Sequence, residues 1–190
     1  DPRFARHAGR LSGGMCTAGR CLLCAKLPKS TATKMSPLIY YFADDGVIPN
    51  NPVPVIIYRQ VVDLKDCSDW LENRFRENNW LNNWRDIVLP YDHFHSNTHE
   101  VLGLGRGRVS LKIGGSNGQI FDLEAGDVVI IPAGVGHYAI SKHTDYQFVG
   151  GYPNGQAWDL KTGLEEEERA QMLRRISAVE MPEKDPVFGI

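Results

Sequence analysis

From Arg108 to Ile113 polar and apolar side chains alternate without a break: Arg, Val, Ser, Leu, Lys, Ile. A period of two puts Val109, Leu111 and Ile113 on one face of an extended strand and leaves the opposite face wet. Short runs of this kind punctuate the chain from Met35 onward. Leu38 to Phe42 is aromatic and β-branched and stops at the turn signal Asp44-Asp45-Gly46. Val53 to Tyr58 is a second apolar run, which Pro52 and Pro54 confine to an edge or a strand start. Gly114-Gly115-Ser116-Asn117-Gly118 closes a hairpin into residues 119–124. Ala125-Gly126 then turns into Val128 to Ile131, an unbroken apolar run suited to a strand covered on both faces. His137 to Lys142 and Tyr146 to Val149 read as the last pair of strands, and the chain leaves the sheet after Tyr152-Pro153-Asn154-Gly155.

Two stretches carry a helical period. Residues 66–78 place Trp70, Leu71 and Phe75 on one side, with Asp66 or Ser68 as N-cap. Leu164 to Ala178 opens on acids and ends on arginines, the order that suits the helix dipole, and its run of four glutamates reads as a solvated face. Trp80 and Trp84 are expected as core fillers between helix and sheet rather than as platforms for a ligand. The pattern predicts an all-β, mainly antiparallel fold with two flanking helices.

Composition narrows the function. A hydrophobic share of 42% and a charged share of 23% are those of a soluble globular protein. A net charge of −2 speaks against nucleic acid as partner, and no apolar run approaches the ~20 residues a membrane helix needs. The charge is uneven: residues 1–34 hold seven basic side chains against one acid, and the rest of the chain 14 basic against 22 acidic. We therefore divide the chain into a basic, poorly structured extension over 1–34 and a single domain over 35–190. An Arg-rich, acid-poor leader also has the composition of a mitochondrial targeting segment. Cys16, Cys21 and Cys24 share that extension at a C-x4-C-x2-C spacing, half of a plant-type iron–sulfur pattern. Nothing around them resembles a ferredoxin and no secretory segment precedes them, so they read as reduced thiols of a cytoplasmic protein.

The chemistry concentrates between Asp92 and Gly107. His93 and His95, two apart, share one face of an extended strand. Imidazole and carboxylate are good ligands for first-row metals, so His93, His95 and Glu100 make most of a metal site. The segment Gly126 to His137 carries a fourth candidate, His137, delivered by the turn at Pro132 and Gly134. Three imidazoles and one carboxylate leave one or two positions open on a five- or six-coordinate ion, as a catalytic site needs. His99 neighbours Glu100 and faces the other side of a regular strand; it reaches the pocket as an acid–base group only if the strand bulges. Glycines at 103, 105 and 107 do not make a nucleotide loop, because Arg108 breaks the G-x-G-x-x-G pattern and a strand follows.

These residues resemble the cupins, small jelly-roll barrels. His93, His95, Glu100 and Gly107 fit the first cupin motif, G-x5-H-x-H-x4-E-x6-G, without gaps. Gly126, Pro132, Gly134 and His137 fit the second, G-x5-P-x-G-x2-H-x3-N. Thr98 to Gly103, Gly151 to Gln156 and Asp185 to Gly189 resemble the YjlB-type single-domain cupins in particular, over roughly residues 36–190. Two positions depart from the pattern: Ile87 stands where the first motif opens on glycine, and Ser141 replaces the closing asparagine of the second. The resemblance implies a cupin jelly-roll β-barrel, a homodimer, and one divalent transition metal on His93, His95, Glu100 and His137. Fe(II) is favoured, with Mn, Zn, Ni or Co as alternatives.

The expected activity is that of a metal-dependent enzyme on a small oxygenated organic molecule, an oxidoreductase of the dioxygenase kind. The alternatives are a Lewis-acid isomerase or lyase on a sugar-like or carbonyl substrate, and a non-catalytic binding module. Tyr91, His99, Ser141 and Gln147, together with Gln156, are the polar groups expected around the pocket.

Overall fold

A computed structural model describes residues 36–140, 145–164 and 169–190. Among the described residues nine strands form two antiparallel sheets. The larger runs in the order β1 (Leu38–Phe42), β2 (Asn51–Tyr58), β7 (Val128–Ile131), β4 (Glu100–Arg106), β9 (Gln147–Pro153) and β3 (Trp80–Asp86). The smaller is β6 (Gln119–Glu124), β5 (Arg108–Ile113) and β8 (His137–Ile140). Every neighbouring pair is antiparallel. The expected barrel is thus a jelly-roll sandwich of two sheets, not one continuous ring of hydrogen-bonded strands.

The alternation from Arg108 to Ile113 does what its period requires. Val109, Leu111 and Ile113 are buried between the sheets against Leu102, Leu104 and Phe148 of the larger one. The larger sheet is also covered outside. There α1 (Ser68–Glu77) buries Leu71 and Phe75 against Val101, Val128 and Val149, and burying each of the two contributes about 1.5–3 kcal/mol. This double cover explains the unbroken apolar run of β7. It also explains two of the glycines in β4. A Cβ at position 103 would lie 2.9 Å from the Phe75 ring, and one at 105 would lie 2.2 Å from Ser68 Oγ, so the helix approaches the sheet only because both lack side chains.

The Asp66–Asn78 helix begins at Ser68. Cys67 is its N-cap without a side-chain bond, while Asp66 Oδ1 accepts the Ser68 N–H at 2.9 Å. Trp80 to Asp86, unassigned in the sequence, is strand β3. Its pairing with β9 shifts between Leu81 and Trp84, with Asn82 at φ 53°, so the bulge hides the period-two signal. Pro52 and Pro54 precede Ile56, where β2 first pairs with β7, so β2 is an inner strand that carries its prolines at its start. The second helix, α2, is described over Arg169–Ser177 and buries Met172 and Ile176 against Ile48, Phe94 and Ala133. Residues 1–35, including Cys16, Cys21 and Cys24, and the glutamates at 165–168 lie outside the described residues. Cys67 is a buried free thiol. Among the described residues no helix is long and apolar enough to cross a membrane.

Candidate metal centre

His93, Phe94 and His95 form a short extended segment that pairs with the start of β8 on one side and with Lys161 on the other. The backbones of His93 and His137 exchange hydrogen bonds, as do those of Phe94 and Lys161. Parity along this segment sends Phe94 into the cluster under α2 and both histidines the other way. Glu100 opens β4 of the larger sheet and His137 opens β8 of the smaller. The four side chains thus come from three pieces of backbone and meet at the seam between the sheets, where all are buried.

One ring nitrogen from each of His93, His95 and His137 lies within 4.8 Å of the others. Glu100 Oε2 stands 3.3 Å from His95 Nε2 and 3.1 Å from His137 Nε2. The far side of every ring is held by backbone. Nδ1 of His93 bonds the Tyr91 carbonyl at 3.0 Å, that of His137 the Val135 carbonyl at 3.1 Å, and that of His95 the Asp159 carbonyl at 2.5 Å. A carbonyl can only accept, so each Nδ1 carries a proton and each Nε2 is the nitrogen turned inward. Imidazoles with inward Nε2 atoms beside a carboxylate are a donor set that fits a divalent transition ion.

The electrostatics distinguish the rings. Burial, reinforced by His137, lowers His93 to about 3, which keeps it neutral. Burial would raise Glu100, but His95 and His137 together hold it well below the usual carboxylate range. Burial likewise disfavours charge on His95, and Glu100 outweighs it, so the net shift is upward.

The four residues sit in the wall of a cavity of about 360 Å³. Its other walls are mostly apolar: Val88, Leu89, Leu102, Trp84, Trp158 and Leu160. The Trp158 ring lies 5.2 Å from that of His95. Trp84, expected as filler, is a pocket wall; Trp80 is the filler, 1% exposed beneath α1. Ile87, at the departure from the first motif, also lines the cavity.

Several expected pocket groups stand elsewhere. His99 follows strand parity and points away from the cavity. It is buried, its Nδ1 accepts the Ala133 N–H at 3.0 Å, and its ring lines a separate, more polar cavity of about 380 Å³ with Gln156, Arg175 and Glu180. Gln147 packs toward α1, 3.4 Å from Ser68 Oγ, because it stands at the far end of β9 from Tyr152. Tyr91 is exposed and acts through its backbone carbonyl on His93. Ser141 lies outside the described residues.

The sequence reading missed Tyr152, Trp158 and Asp159. Asp159 turns its carbonyl to His95, while its carboxylate takes the Ser96 N–H at 2.6 Å and the Ser96 hydroxyl at 2.5 Å. The one available signal was Tyr152 inside a YjlB-like flank; Trp158 and Asp159 sit in a segment with no periodicity.

No family model matches the chain. Among curated proteins it is 40% identical over 151 residues to the uncharacterized protein YjlB of Bacillus subtilis, covering 79% of this chain and 89% of that one. Solved structures similar to it include a mutant of Bacillus subtilis oxalate decarboxylase, at 21% identity and TM-score 0.37 over 57% of this chain and 27% of that one. Another is procruciferin, an 11S globulin of Brassica napus, at 14% identity and TM-score 0.35 over 52% of this chain and 31% of that one. The chain therefore spans about a third or less of either solved structure. The identity to YjlB extends over most of both chains, and the described residues form a two-sheet jelly roll: the chain belongs to the YjlB family.

Proposed function

We propose that the chain is a metal-dependent enzyme of the dioxygenase kind that acts on a small oxygenated organic molecule. One observation carries the reading: three imidazoles, each held by a backbone carbonyl, turn their Nε2 atoms inward beside Glu100 in a cavity walled by apolar side chains. His93, His95, His137 and Glu100 would hold a divalent transition ion, and a redox-active one such as Fe(II) supplies open positions and electrons for chemistry with O2.

The chain's own residues account for the rest. The carbonyls of Tyr91, Val135 and Asp159 hold each ring by its Nδ1, so that the Nε2 atoms stay turned toward the ion's place. The Glu100 carboxylate offsets part of the charge an ion would bring. Leu102, Val88, Trp84 and Trp158 exclude water and offer an apolar seat to the carbon skeleton of a substrate. No lysine or arginine is among the described residues lining the cavity, which favours a neutral or singly charged substrate over a polyanion.

The test is metal analysis of protein purified without added ions, combined with oxygen uptake on a panel of small oxygenated compounds. Iron together with substrate-dependent oxygen uptake is the expected result. Zinc or manganese with turnover of a carbonyl compound and no oxygen uptake replaces this reading by Lewis-acid catalysis. Full occupancy without turnover of any compound replaces it by a binding role.

A further inference from the structure

Glu100 has two carboxylate oxygens, and the structure gives them different partners. Oε2 faces His95 and His137. Oε1 accepts a hydrogen bond from the Tyr152 hydroxyl at 2.8 Å. That hydroxyl in turn accepts the Trp84 Nε1–H at 2.9 Å. The direction of this chain is forced, because an indole nitrogen only donates and an ionised carboxylate only accepts. The phenolic proton is thereby committed to Glu100. Both Tyr152 and Glu100 are almost wholly buried, at 1% and 3% exposure, where a hydrogen bond to a charged group is worth most.

The backbone is shaped around this arrangement. A Cβ at position 150 would fall 2.0 to 2.3 Å from atoms of the Trp84 indole, so the ring reaches Tyr152 only because residue 150 is glycine. A Cβ at 151 would lie 2.6 Å from Asn83 Nδ2, the amide that donates to the Trp80 and Gly150 carbonyls at 3.1 Å each. The bulge between Leu81 and Trp84 and the two glycines before Tyr152 together seat the indole over β9.

From this geometry we infer that Tyr152 is a positioning residue for Glu100: it occupies Oε1, reserves Oε2 for an ion, and is itself oriented by Trp84. The inference rests on the metal reading above and assigns a role to two side chains that the cupin motifs do not include. Its consequence is local. Without the hydroxyl, Glu100 can rotate about its last bond, and the oxygen facing the histidines is no longer fixed.

The test compares wild-type protein with Tyr152→Phe and Trp84→Phe. The dissociation constant for Co(II) is measured by competition with a chromogenic chelator, and the visible spectrum of the Co(II) protein reports its ligand field. Tyr152→Phe keeps the ring and removes only the hydroxyl. We expect affinity to fall about 10–100-fold, the range for partners that orient a ligand, with a changed Co(II) spectrum. Trp84→Phe should move both in the same direction at the lower end, about 10-fold. A purely structural role for Tyr152 would lower the unfolding midpoint of the metal-free protein and leave both Co(II) readouts unchanged; that result overturns the inference. Should Tyr152→Phe fail to fold, unchanged affinity and spectrum in Trp84→Phe overturn it instead. Wild-type protein that binds no Co(II) overturns both this inference and the metal reading, whereas wild-type binding matched by the variants overturns this inference alone.

Discussion

His93 and His137 form a closed backbone pair: the His137 N–H donates to the His93 carbonyl at 2.9 Å, and the His93 N–H to the His137 carbonyl at 3.3 Å. The pairing sets their rings 4.3 Å apart, centroid to centroid. It also joins the segment that carries the first motif to the strand that carries the second. The two ligands are therefore brought together by main-chain bonds, and an ion is not needed to assemble them.

The first expectation follows from that preassembly. His95→Ala and Glu100→Ala should abolish metal retention, each by more than the roughly 10–100-fold typical of residues that merely orient a ligand, while the far-ultraviolet circular dichroism keeps its β signal. Loss of the β signal together with the metal would mean that the ion builds the fold at this end, contrary to the backbone pairing.

His99 stands next to Glu100 and faces the opposite side. His99→Ala should retain the ion with near wild-type affinity. It should still destabilise the protein by about 1–3 kcal/mol, because the Ala133 N–H that His99 accepts is left buried without its partner. Equilibrium dialysis and urea unfolding separate the two effects. Loss of the ion would show that His99 communicates with the site in spite of its orientation.

At position 150 the chain has no room for a methyl group, which would meet the indole of Trp84 at 2.0 Å. Gly150→Ala should cost about 1–3 kcal/mol, as overpacking of a well-filled site does. It should also enhance and shift tryptophan fluorescence as the indole leaves the Tyr152 hydroxyl. Pairing the change with Trp84→Ala should recover most of the lost stability; if it does not, the contact is relieved elsewhere.

Asp45 provides a pH dependence of its own. Burial pushes its carboxyl up, but the N–H groups of Val47, Ser116 and Ile48 and the Ser116 hydroxyl outweigh it and hold the group at about 2. A folded-state value below the unfolded one means that the carboxylate stabilises the fold above about pH 4 and that this contribution is lost as pH falls towards 2. The group is largely solvated, so the contribution is about 1 kcal/mol after allowance for screening. Wild-type and Asp45→Ala proteins should differ by that amount in urea at pH 7 and converge between pH 4 and pH 2. A gap independent of pH would assign the loss to packing instead.

How far the chain could be read beforehand depends on the range over which each feature is decided. The strand Arg108–Ile113, the hairpin at Gly114–Gly118, the doubly covered run Val128–Ile131 and α1 all lie where local period and turn chemistry put them. The orientations of His93, His95 and Glu100, and the opposite orientation of His99, also follow locally, since side-chain direction along a strand is a matter of parity. Strand β3 was not legible, because a bulge with Asn82 at positive φ erases the alternation by which strands are recognised.

By itself, then, the sequence determined which residues share a face and offered four side chains of a type that can ligate a metal, since both are matters of residue type and of neighbours along the chain. Tertiary structure alone decided what surrounds them: the Asp159 carbonyl behind His95, the Trp158 wall, and the hydroxyl of Tyr152 on Glu100. Those contacts join residues about 50 to 70 positions apart through the pairing of β4 and β3 with β9 and the return of the following segment across Phe94. The physical reason is that strand pairing and loop return are settled by the burial of whole sheets, and no local pattern in residues 150–161 carries that information.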